Sequence, residues 1–143
     1  MNSVQWLRRL LALLFVVAAG AALADTPVKV VYQFSEGLEQ ASRGLANIRN
    51  HLAADPSVKI VAVAFGPGVD FLLDGAVDRN GNPYGAAIDE LSLQGVEFRV
   101  CQNTLKARNI DPAKMHEATK PVPAGVAEIA RLQSKEGYAY LKP

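Results

Sequence analysis

VKIVAVAF, from Val58 to Phe65, carries one charge in eight residues and is otherwise apolar. Near-continuous apolarity over that length is the pattern of a strand covered on both faces, as in a parallel sheet. Gly66-Pro67-Gly68 breaks the run, and Val69 to Leu73 reads as a short helical or extended piece. Upstream, Asp55-Pro56 closes an amphipathic helix of about Glu36 to Ala54, in which Leu38, Ala41, Leu45, Ile48 and Leu52 recur at three and four residues. Before it, Val28 to Phe34 is rich in β-branched and aromatic residues and forms the first strand.

Working downstream, Asp74 to Pro83 is the most polar, turn-rich stretch and reads as a surface loop. Gly85 to Gln94 forms a helix stopped by Gly95, and Val96 to Val100 alternates apolar and charged residues as a third strand nearer an edge. Cys101 follows, then a short helix to Arg108 with Asn109 as a left-handed cap. Asp111 to Pro123 reads as an irregular connection with a turn of helix. Ala124 to Glu136 is an amphipathic helix, and Tyr138 to Leu141 a last short strand. Strands alternating with helices imply an α/β domain, a largely parallel sheet between helical layers.

Of the 143 residues about half are apolar and a fifth charged, which suits one domain with a real core. Residues 1–24 have the three parts of a secretory signal peptide. Arg8 and Arg9 are the positive end, Leu10 to Val17 the apolar core, and Ala22-Leu23-Ala24 the cleavage site. The expected mature domain is therefore 25–143, exported to the periplasm, with no membrane attachment after cleavage. Loss of the two arginines leaves 13 basic residues against 14 acidic ones, a formal charge of −1. No basic run is interleaved with aromatics, so nucleic acid is not an expected partner.

Several chemistries lack their residues. Phe71 stands where a dinucleotide fingerprint needs its third glycine, so Gly66-Pro67-Gly68 is either a tight turn or an anion-wrapping loop. Asp78 to Asn82 is oxygen-rich like a calcium loop, but Pro83 takes the glycine position and Asp89 the final glutamate position. His51 and His116 fit no zinc spacing, although His116 has a route back toward Cys101. No serine has a nucleophile-elbow context. Neither metal nor cofactor is expected. Arg43 and Asn47 have a pocket as one alternative for the face they occupy.

Cys101 is the lone cysteine, in a chain bound for an oxidising compartment. It lies at the carboxyl end of a strand, where ligands gather in open α/β sheets. A helix starting at Gln102 or Asn103 would point free N–H groups at the sulfur and favour thiolate. The alternative is an inert, packed cysteine.

The chain resembles the DsrE/DsrF-like family over almost all of 25–143. The likeness runs through VKVVYQF, VKIVAVAFGPGVDFLL, AIDELSLQGVEFRVCQNTLKARNI and VPAGVAEIARLQSKEGYAYLKP. Its most telling element is Cys101 after GVEFRV, with Arg108 and Ile110 downstream and Asn109 replacing the family's glycine; the exported branch with C-x-N-T-L is the nearer match. The resemblance implies a three-layer α/β/α fold, a trimer or hexamer, and a cysteine able to hold a persulfide. Two functions stay open. In the first, a sulfur carrier or sulfurtransferase uses Cys101, with Asn103, Thr104, Arg108, Gly66 and Gly68 around it, and exchanges sulfur with a partner protein or small sulfur compound. In the second, a non-catalytic oligomeric ligand-binding module merely packs the thiol.

Overall fold

The computed structural model describes residues 26–143, so residues 1–24, the segment read as a signal peptide, lie outside the described residues. Five strands form the sheet: β1 (Lys29–Phe34), β2 (Lys59–Ala64), β3 (Glu97–Cys101), β4 (Thr119–Val122) and β5 (Ala139–Leu141). Their order is β4-β3-β2-β1-β5, and every pairing is parallel. The helices are α1 (Leu38–Ala54), α2 (Tyr84–Leu93), α3 (Gln102–Ala107) and α4 (Gly125–Glu136). Short 3-10 turns cover Gly66–Leu72 and Pro112–Lys114.

Alternation along each strand sorts the core into two layers, because successive side chains point to opposite faces. Val30, Tyr32, Phe34, Ile60, Ala62, Ala64, Phe98 and Val100 meet the buried faces of α1 and α2 and Leu105 of α3. Phe71 sits at the centre of this layer. Its ring lies 5.0 Å from Phe34, 5.9 Å from Tyr84 and 6.3 Å from Phe98. The residue that spoils a dinucleotide fingerprint is thus a core aromatic, and Gly66–Leu72 is a packed 3-10 turn. On the opposite face Val31, Val61 and Val63 meet Ile129 and Leu132 of α4, flanked by Phe65 and Tyr138. The sheet lies between helical layers of unequal thickness.

One sheet element departs from the sequence reading. Thr119–Val122, read as irregular connection, pairs with Phe98–Cys101 as strand β4. Its four residues include a lysine and a proline, so propensity argues against a strand. An edge position tolerates both, because Pro121 needs no ladder donor on its open side. Asn109 takes the left-handed conformation expected of it, with φ of 52°.

The N-terminus of α1 has no side-chain cap of the ordinary kind, since its capping position is Gly37. Gln40 substitutes from inside the helix. It is only 1 % exposed, and its Oε1 accepts from the backbone N–H of Ser35 at 2.6 Å and of Glu36 at 2.8 Å. Its Nε2 donates to the carbonyls of Gln33 and Pro143. Gln40→Leu keeps the volume but strips two N–H groups of their acceptor. Chemical denaturation is expected to show a loss of about 2 kcal/mol, and a loss near zero would show that water replaces the amide.

Candidate functional site

Cys101 is the last residue of β3 and the residue from which α3 departs. It is 5 % exposed and free of any disulfide. Parallel pairing places it opposite Val122 of β4, and three residues further on the chain enters α4 at Gly125. The thiol is therefore approached from two directions, by the first turn of α3 and the first residue of α4. Burial pushes its pKa up, but the Thr104 hydroxyl and the backbone N–H groups of Gly125, Thr104 and Asn103 outweigh that. The net shift is downward. Hydrogen bonds to the charged form favour it, so the sulfur is biased toward thiolate with no cation among these stabilising groups.

Thr104 links this thiol to the turn after β2. Its Oγ1 accepts the N–H of Gly66 at 2.9 Å, which leaves its hydroxyl proton free to stabilise a nearby thiolate. The carbonyl of Gly66 is held in turn by Arg108, whose Nη1 donates to it at 3.1 Å. The same nitrogen lies 2.7 Å from Asp70 Oδ1, an ionic contact off the line of an N–H bond. Arg108 thus braces Gly66, the residue whose N–H meets Thr104, and its charge is matched by Asp70.

Of the residues expected at the site, Cys101, Asn103, Thr104, Arg108 and Gly66 come together. Asn103 contributes its backbone N–H, shared with the Pro123 carbonyl at 3.3 Å, while its side chain is exposed. Gly68 has another task. A Cβ there would stand 2.1 Å from the Phe34 carbonyl oxygen, so its lack of a side chain lets the turn cross the end of β1. His116 does not approach the thiol. Its Nδ1 accepts from the Ala118 N–H, and its Nε2 lies 3.4 Å from Asp89 of α2. The oxygen-rich loop closes on itself, with Asp78 Oδ1 accepting from the N–H groups of Asn80 and Asn82. Among the described residues no three His, Cys, Asp or Glu side chains gather as a metal site.

Gly125 and Phe65 escape the sequence reading. A Cβ at Gly125 would lie 2.9 Å from Phe65 Cδ1 and 3.3 Å from Cys101 Cβ, so only glycine brings that N–H so near the sulfur without displacing the ring. The signal was hidden with β4, because only the Cys101–Val122 pairing carries the start of α4 to the thiol.

The DsrE/DsrF-like family matches residues 28–143, nearly the whole described chain. The chain belongs to the DsrE/DsrF-like family. Among solved structures, the protein of unknown function MTH1491 from Methanobacterium thermoautotrophicum is 33 % identical, with a TM-score of 0.72 over 81 % of this chain and 99 % of its own. The ychN protein from E. coli shares the fold at 14 % identity, with a TM-score of 0.67 over 82 % of this chain and 100 % of its own. No curated protein matches the sequence. DsrE/DsrF-like is a sulfur-relay type of family, so sulfur chemistry is the frame in which the donors around Cys101 are read. No helix among the described residues is long and apolar enough to cross a membrane.

Proposed function

We propose that this DsrE-like protein is a sulfur carrier that holds a persulfide on Cys101. The observation that carries the reading is the place of Cys101 at the carboxyl end of β3 between the starts of α3 and α4, where backbone N–H groups and the Thr104 hydroxyl lower the pKa of its thiol. In the proposed step the Cys101 thiolate attacks the terminal sulfur of a persulfide or polysulfide. A new S–S bond forms at Cys101, the donor's S–S bond breaks, and the donor thiolate leaves with the electron pair and takes up a proton. The donors that stabilise thiolate also suit the terminal sulfur of the product, which ionises readily. Passing that sulfur to an acceptor thiolate reverses the step.

The setting is also part of the reading. The segment ahead of Asp25 supports export to the periplasm, with sulfur exchanged there with a partner protein or small sulfur compound. A homo-oligomer, trimer or hexamer, is supported by apolar side chains left in water on α4 and the edge strand β5: Val126 at 63 %, Leu141 at 43 % and Tyr140 at 40 % exposure.

Exposure of the chain to a polysulfide, followed by intact-mass measurement, is the test. The expected result is a gain of about 32 Da, one sulfur atom, on Cys101 that dithiothreitol removes. A thiol that stays inert until the protein is denatured would overturn the carrier and leave Cys101 as packing.

A further inference from the structure

Two surface hollows lie away from Cys101. One, of about 400 Å³, opens between α1 and the loop that begins at Asp78. A second of about 430 Å³ shares Ser42, Asp78 and Tyr84 with it, so the two form one groove along α1. Arg43 comes from α1 and Arg79 from the loop, and both line the first hollow.

Their lack of an ion-pair contact sets these two apart. Among the described residues Arg49, Arg99, Arg108 and Arg131 each contact a carboxylate within 4 Å, whereas Arg43 and Arg79 have no such contact. Two carboxylates share the hollow, and neither is in ion-pair contact with these arginines, although the Arg79 charge is felt at Asp78 and the Arg43 charge at Glu36 nearby. Asp78 spends its oxygens on the N–H groups of Asn80 and Asn82 and on the Asn82 side-chain amide, which fixes the loop that presents Arg79. Glu39 lies in the first turn of α1, where the helix dipole favours a negative charge.

The wall between the arginines is fixed and partly apolar. Tyr84 donates its hydroxyl to the Leu38 carbonyl at 2.9 Å, so the 2.6 Å contact with Ser42 Oγ is a bond donated by the serine. Leu38 is 38 % exposed at the same wall. A hollow of this size with an apolar side and convergent polar groups fits a small organic ligand. Guanidinium forks select carboxylate or phosphate oxygens.

We propose that this groove is a second site, which binds a small organic oxyanion with its charged head between Arg43 and Arg79 and its apolar body on Leu38 and Tyr84. No residue of the groove belongs to the thiol site, so the proposal stands apart from the sulfur-carrier reading.

The test is a titration of the whole chain with benzoate, followed by calorimetry and by the arginine Nε–H resonances, with inorganic phosphate as the competing probe. Saturable shifts are expected at Arg43 and Arg79 and not at Arg99 or Arg108. Phosphate should displace benzoate yet bind more weakly, since it lacks the apolar body. Arg43→Gln and Arg79→Gln should each weaken benzoate by about tenfold, with melting temperatures unchanged in its absence. Absence of saturation up to roughly 20 mM, a threshold for weak small-ligand binding, would overturn the proposal. Binding that survives both substitutions together would do the same.

Discussion

Gly68→Ala is expected to leave little native protein. The added methyl would sit 2.1 Å from the Phe34 carbonyl oxygen, 2.3 Å from its carbon and 2.5 Å from the Ser35 nitrogen, all main-chain atoms. Nothing there can swing aside as a flexible side chain would. Either β1 gives up its end, or the 3-10 turn lifts and takes Phe71 out of the aromatic cluster. Both routes disturb fully buried packing, so the cost should reach about 3 kcal/mol or more, at the upper end of what overpacking does. Urea unfolding measures it. A midpoint within experimental error of the parent would mean that the turn and the end of β1 leave room for a methyl group.

Thr104→Val should have the largest effect on the thiol without removing the thiol itself. The change preserves shape, deletes the hydroxyl that donates to Cys101, and strips the Gly66 N–H of its acceptor. A hydrogen bond to a charged partner contributes about 1.5 kcal/mol or more, so alkylation at neutral pH should slow by about tenfold as the pKa moves back up. Thr104→Ser should restore the rate. The linkage has a definite sign. The folded thiol titrates below its ordinary value of 9.0, so ionisation stabilises the fold. That contribution is complete above the unfolded pKa and is lost as pH falls through the folded one. Unfolding free energy should therefore rise with pH across that window in the parent, and rise less in Thr104→Val. Equal slopes in the two proteins would remove Thr104 from the account.

Much of this architecture can be read from residue patterns, for reasons visible in particular elements. Val58–Phe65 reads as a doubly covered strand because both its faces are buried, and Leu45, Ile48 and Leu52 mark α1 because one stripe of that helix meets the sheet. Cys101 is found by its place after an alternating strand. What escapes depends on partners distant in sequence. Thr119–Val122 is a strand only because β3 lies beside it, and without β4 nothing in VPAG announces that Gly125 reaches the thiol. The Thr104 hydroxyl is equally silent, since its role depends on a peptide 38 positions earlier. Gly68 looks like part of an anion loop, and only the path of β1 shows that it makes room for backbone.

The strand order also dictates a schedule. β1 is the first strand made, yet the neighbour on one of its sides, β5, follows only after β2, α2, β3 and β4, with Gln33 and its partner Tyr140 separated by 107 positions. Until Ala139–Leu141 arrives, Val30 to Tyr32 present a free hydrogen-bonding edge in a chain whose other strands can already pair. A nascent or partly folded molecule would thus carry a sticky flank on its earliest strand, the kind of edge that recruits foreign strands. Closure must wait for the late arrival of β5, which makes assembly slow relative to the local helices. Chaperone demand during synthesis should follow from that delay, and clipping the chain just before Ala139 should turn a well-behaved protein into an aggregating one.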